Sequence, residues 1–181
     1  MDSFGDGHRW TRAVRFVDSV RTSLSPSTLF DLMADPQGCL TWHAHPNGTV
    51  VKSVEAPQGL ALAGAEVQVR GQIGKFPLTT RTVVTRADRS VRYETASELT
   101  FDHPRLPTVF TTERYLIEPD GEGSLVRYET EMSRDWSKGT PLYRLMCKIN
   151  DRFFAESQTQ RCFRDLIASA ERHVASYTNS H

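Results

Sequence analysis

The chain of 181 residues has no net charge, no long apolar run and only three cysteines. Lys and Arg together number 22, as do Asp and Glu, so no basic excess is available to neutralise phosphates. A nucleic-acid partner or an anionic membrane surface is therefore not expected. No stretch approaches the roughly 18 consecutive apolar residues that a bilayer-spanning helix needs. The opening residues, MDSFGDGHRW, lack a basic segment leading into an apolar one, so no secretory signal is expected. Cys39, Cys147 and Cys162 are odd in number and form no C-x-x-C, which argues against a disulfide framework or a zinc knuckle. Cys147 and Cys162 fall in one predicted helix, about 22 Å of rise apart, and cannot bridge there. Buried, inert thiols in a reducing cytoplasm are the expectation.

Catalytic and cofactor signatures are equally scarce. No G-x-S-x-G elbow presents a serine nucleophile, and no G-x-x-x-x-G-K-[ST] loop cradles a phosphate, so no cofactor is implied. His43 and His45 flank Ala44, and such a pair on a strand can place two imidazoles on one metal. Pro46-Asn47-Gly48 instead signals a loop, and no third ligand follows at a suitable spacing. No metal is expected. His43 remains a candidate for the mouth of a pocket, and His103 reads as a surface residue.

What is present reads as one domain. At roughly 150 residues per domain the length allows a single unit, placed at 12–176 between tails at 1–11 and 177–181. Val14, Phe16, Asp18 and Val20 alternate along RAVRFVDSVRTSL, which predicts a strand over 12–24. Ser25-Pro26 then starts a helix through TLFDLM, which stops before Asp35-Pro36, and QGCL adds a short helical turn. Period-two alternation predicts strands at 49–56, 65–74, 78–87, 90–98, 108–118 and 124–134. The separators carry Gly, Pro and Asp, and such short links join antiparallel neighbours. Thr140-Pro141 opens a helix to Val174, with no Gly or Pro within it. The fold class is therefore α+β, with a seven-stranded curved antiparallel sheet, two short helices after the first strand and one long C-terminal helix. A sheet that size must curl around its single long helix to hide its apolar face, and the curl leaves space between them.

Several motifs match a known group in their order and spacing. SPSTLFDLM followed by Asp35-Pro36 and Trp42 resembles the first helices of the helix-grip superfamily of START, polyketide cyclase and birch-pollen-allergen-like proteins. Gly64 ahead of AEVQVRGQI, and Glu118-Pro119-Asp120-Gly121-Glu122-Gly123-Ser124 turning into LVRYETEM, resemble that group's later strands and its Pro…Gly-Thr hairpin. Ser124 stands where the family usually has threonine. The resemblance covers roughly residues 12–174 and implies a helix-grip fold whose cavity binds a hydrophobic small molecule. The superfamily includes enzymes, carriers and resistance proteins.

Alternation sorts the strand faces. The inner sets are Val126, Tyr128, Thr130 and Met132; Val109, Thr111, Glu113, Tyr115 and Ile117; and Val67, Val69, Gly71 and Ile73. Val91, Tyr93 and Thr95 follow, then Thr79, Arg81, Val83 and Thr85, although Val84 fits the opposite register of that strand. Glu113 and Arg81 are thus charges on apolar faces. They either pair with each other, mark a register slip, or reach the oxygens of a ligand. Tyr93, Tyr115 and Tyr128 are either aromatic core or hydroxyls turned into a pocket. Outward Glu129 and Glu131 suit a cross-strand ladder with arginines. In the last helix Ser157, with Gln160 or Arg161, interrupts the apolar stripe, which suits either a cavity or a solvated, kinked stretch.

Three functions fit these residues. The first is a carrier of a polyketide- or lipid-like molecule, acting as a monomer or homodimer. The second is a polyketide cyclase or dehydrase, with Arg81, Glu113 and Tyr128 as catalytic candidates. There a tyrosine or Arg81 would hold an enolate oxygen, while Glu113 or His43 would act as base. The third is a resistance protein that sequesters a reactive natural product such as an enediyne. Candidate ligand-binding residues are Trp42, His43, Val69, Tyr93 and Tyr115, with Met132, Met146, Phe153 and Ser157.

Overall fold

Capping chemistry starts both short helices where the sequence places them. The computed structural model describes residues 14–43, 49–137, 140–153 and 155–178, with all their side chains except 143 and 150–153. The tail predicted at 1–11, along with His45, lies outside the described residues. Strand β1 (Val14–Thr22) leads to Ser25, whose Oγ accepts a hydrogen bond from the Thr28 amide at 3.2 Å and caps α1 (Pro26–Ala34). Asp35 then accepts from the Gly38 amide at 2.9 Å and opens α2 (Pro36–Trp42).

The remaining strands are β2 (Thr49–Glu55), β3 (Glu66–Ile73), β4 (Phe76–Asp88), β5 (Arg92–Phe101), β6 (Thr108–Asp120) and β7 (Gly123–Asp135). They form one antiparallel sheet in the order β1-β7-β6-β5-β4-β3-β2. Six strands thus meander as expected, and β1 joins at the β7 side. The helical run predicted over 141–174 is found in the described stretches on either side of residue 154, α3 (Pro141–Phe153) and α4 (Ala155–Thr178). Tyr177 and Thr178, expected in a tail, belong to the last turn of α4.

Helix α4, 24 residues and about 36 Å long, is the element the sheet grips. Its Phe163, Ile167 and Ala170 pack with Leu29, Phe30 and Ala34 of α1 and with Val84, Ile117 and Val126 of the sheet. Polar ties fix its position along β1. Glu171 accepts from the Thr22 hydroxyl at 2.7 Å and the Ser23 amide at 3.0 Å, and Arg164 pairs with Asp18 at 3.0 Å.

The β6–β7 hairpin is built around a close backbone approach. A Cβ on Gly123 would lie 2.0 Å from the Thr22 carbonyl oxygen, so only glycine lets β1 end there. Next to it, fully buried Ser124 donates its hydroxyl to the Leu24 carbonyl at 2.7 Å. Serine thus supplies the hydroxyl that threonine would, and the departure from the family motif is conservative. Gly123→Ala is expected to force the end of β1 away and to cost on the order of 1–3 kcal/mol in a urea titration. An unchanged midpoint would contradict the contact.

The outer face carries the expected charge ladder. Glu129 accepts from Arg15 at 3.0 Å, Arg127 at 2.9 Å and Arg114 at 3.2 Å, while Glu94 joins Arg92 and Arg114.

Candidate functional site

The curl of the sheet leaves a cavity of about 390 Å³ between its inner face, α2 and α4. This volume lies within the range of small-molecule sites, roughly 300–1,000 Å³. Val51 and Val54 of β2, Val67 and Val69 of β3, and Val84 of β4 make one wall. Met33, Pro36, Leu40 and Trp42 from the two short helices make the roof, and Phe163 and Leu166 of α4 make the opposite side. Trp42 lies 6.0 Å from the His173 ring of α4, which holds the roof against the gripped helix.

Polar groups gather where β6 and β7 cross the cavity. Glu113 and Tyr128 both line it, and the Tyr128 hydroxyl donates to Glu113 Oε1 at 2.6 Å. Glu113 is enclosed by protein, which pushes its carboxyl above the ordinary carboxylate range; the Tyr128 hydrogen bond opposes that shift. Burial, then the neighbouring Glu113 charge, raises the Tyr128 phenol far above its usual value, so it stays a proton donor. Tyr115 packs against Tyr128 with ring centroids 4.9 Å apart and planes tilted by 34°, and Tyr128 stacks on Phe163 at the same distance. These rings hold the two phenols in place. Burial also raises Tyr93 to about 12, and its hydroxyl donates to the Ala61 carbonyl at 3.3 Å.

Seven of the predicted residues meet at this cavity: Trp42, His43, Val69, Tyr93, Glu113, Tyr115 and Tyr128. Arg81 does not. It lies on the outer face, 61% exposed, and pairs with Glu66 at 2.7 Å. Glu113 and Arg81 therefore do not pair with each other. The reason is the register of β4. Thr82 and Val84 face inward, and a bulge between Val84 and Arg86 interrupts the alternation that the sequence reading assumed. Val91, also expected inside, is exposed in the turn before β5.

The helical candidates differ as well. Met146 is 58% exposed on α3, and Ser157 is exposed on α4. On α4 the buried positions Ala155, Phe163, Ile167 and Ala170 define the inward side, and Ser157 falls on the opposite one. Arg161, offered as the alternative inward residue, is exposed and lies 3.8 Å from Asp165. The side chain of Phe153 lies outside the described residues. Met132 sits on the inner face of β7, beyond this cavity.

Several lining residues escaped the sequence reading. Thr82 and Ser97 share a hydrogen bond of 2.9 Å at the cavity wall, and Val84 in the alternation was the signal that could have found Thr82. Cys39 and Cys162 also line the cavity. Burial, then the Asp35 charge, pushes the Cys39 thiol up to about 11, so it is a poor nucleophile at neutral pH. All three cysteines lie outside disulfides. Among the described residues no three His, Cys, Asp or Glu side chains come together to hold a metal.

Residues 13–162 match the model of the family described as polyketide cyclase/dehydrase and lipid transport. The chain belongs to this family. The polyketide cyclase/dehydrase and lipid transport family is thus one of proteins associated with hydrophobic small molecules, in keeping with a cavity walled mainly by valines. No curated protein matches the chain. Solved structures share the fold at low identity. The Mll3558 protein of Rhizobium loti is 14% identical with a TM-score of 0.63, over 90% of this chain and 99% of that one. Ara h 8.0201 is 15% identical with a TM-score of 0.56, over 91% and 99%. A conserved protein of Geobacillus kaustophilus is 13% identical with a TM-score of 0.63, over 90% and 96%. The helix-grip architecture is therefore common to all of them. Among the described residues no helix is long and apolar enough to cross a membrane.

Proposed function

We propose that the chain binds a hydrophobic, oxygen-bearing molecule of polyketide or lipid type in the cavity beneath α4. The observation that carries this reading is the pairing of an apolar hollow with one enclosed polar centre, Glu113 and Tyr128. Apolar walls supply affinity without direction, and a few convergent polar groups fix orientation. Trp42, His43, Val69, Tyr93 and Tyr115 would contact the guest. Balanced charge and unbridged cysteines support a cytoplasmic protein without a nucleic-acid partner.

The enclosed carboxyl favours a second reading, a cyclase-like reaction. A Glu113 carboxylate would take the proton from a carbon between two carbonyls of a poly-β-ketone. The enolate carbon would then bond to a further carbonyl carbon of the same chain, and the resulting alkoxide would recover the proton from Glu113. Tyr115 would hydrogen-bond an oxygen that gains charge, while the Tyr128 hydroxyl, donating to Glu113, would hold the carboxylate in place. The apolar walls would hold the flexible chain folded, which supplies proximity.

Binding is tested by thermal unfolding against polyketide, sterol and fatty acyl compounds. At a hundred times its dissociation constant, a true ligand adds about 2.7 kcal/mol, or roughly 5–10 °C for a domain of this size. Val69→Trp, which fills the hollow, should abolish the shift. If no compound of the three classes moves the transition, the binding reading is wrong.

A further inference from the structure

Helix α3 is mounted with its polar side against the protein. Leu142, Leu145, Met146 and Ile149 recur at the i, i+3, i+4, i+7 spacing that makes one apolar stripe on a helix. A surface helix ordinarily turns such a stripe to the core, yet these four side chains are 69%, 56%, 58% and 47% exposed. Arg144 and Cys147, on the other side of the helix, are half-buried. The Arg144 guanidinium donates to the Trp136 carbonyl just beyond β7 and fixes that orientation. Charge gathers on the same segment. Residues 138–152 contain Lys138, Arg144, Lys148 and Arg152 against Asp151 alone, so four bases and one acid leave this stretch at +3 and the rest of the neutral chain at −3. The overall balance, which argues against an anionic partner, conceals this local excess.

We propose that the outward stripe of α3 is an interfacial anchor for an anionic lipid surface. The helix has 13 residues, is about 20 Å long and lies in the plane of the membrane. Its stripe enters the boundary between headgroups and acyl chains. Lys148, exposed and one turn from Leu145, meets the lipid phosphates. Charge selects this occupant over a second copy of the chain, because pairing two α3 stripes would set one +3 segment against another. The anchor needs no guest in the cavity, so it stands or falls separately from the proposed binding function.

Flotation of the full chain with vesicles tests the anchor. Binding to phosphatidylcholine and phosphatidylglycerol mixed at roughly 7:3 should be at least about tenfold tighter than to phosphatidylcholine alone. Salt at about 0.5 M should remove most of that difference. Leu145→Gln combined with Met146→Gln should weaken binding to the anionic vesicles at least about tenfold, and Lys148→Gln about three- to fivefold. All three side chains are exposed, so the variants should keep the native thermal transition. No binding to either vesicle, equal binding to both, or a double variant that binds as tightly as the native chain would overturn the anchor. Sedimentation showing a native dimer that the double variant splits into monomers would overturn it too, and would give the stripe to a second copy.

Discussion

A Phe30→Ala variant is expected to lose about 3–5 kcal/mol of stability, the cost of a large buried side chain together with the void it leaves. For a domain of this length that lowers the melting temperature by roughly 6–20 °C. Phe30 is wholly buried on α1 and meets the Tyr93 ring edge-on, with centroids 5.8 Å apart. Tyr93 also lines the cavity, so the same variant loosens the wall that a guest would touch. A Met146→Ala change on exposed α3 supplies the contrast and should stay within about 0.5 kcal/mol. If the two variants melt together, Phe30 does not carry the core as described.

The second large effect belongs to Glu113→Gln, and it divides stability from chemistry. Burial raises the Glu113 carboxyl above its ordinary value of 4.5, so between that value and the folded one the native state holds a proton that the unfolded chain has released. Native stability therefore falls across that window as pH rises, by up to about 1.4 kcal/mol per pH unit, and is fully retained below it. Glutamine keeps the shape and an acceptor for the Tyr128 hydroxyl but cannot ionise. The variant should match the native protein in unfolding free energy near pH 4 and exceed it at pH 7–8. Parallel curves in chemical denaturation across this range would show that Glu113 titrates as an ordinary carboxylate. Turnover should move the opposite way. If the pair transfers protons, cyclisation of a poly-β-ketone should fall by about 10²–10⁴-fold while the ligand still binds. Such a trade between stability and activity is common where a buried ionisable group serves function.

How far the sequence revealed this site depends on the regularity of each strand. Strands β6 and β7 pair in unbroken register from Thr108 to Asp135, so simple alternation correctly turned Glu113, Tyr115 and Tyr128 inward. Strand β4 carries apolar residues on both faces at Val83 and Val84 and bulges just beyond them, so alternation alone could not choose between Arg81 and Thr82. The partners across the sheet made that choice. Arg81 lies opposite Glu98 and bonds to Glu66, and the outer face satisfies its charge without burying it. The helical misplacements have a different origin. Leu142, Leu145 and Met146 of α3 are exposed, while Ala155, Phe163, Ile167 and Ala170 are the buried positions of α4 and leave Ser157 on the opposite side, so apolar character alone did not mark the inward stripe. The turn and cap signals, by contrast, act through nearest neighbours and were legible throughout.

The valine wall has an evolutionary consequence. Val51 and Val54 stand on β2, which ends the sheet, while the fully buried anchors Leu29, Phe30, Val126 and Ile167 lie on other elements. Exchanging one of those two valines for alanine or isoleucine would widen or narrow the chamber at the periphery of the sheet, away from the residues that drive folding. Diverging descendants of this chain can therefore drift toward bulkier or slimmer cargo one mutation at a time, with the scaffold passing unaltered through each generation.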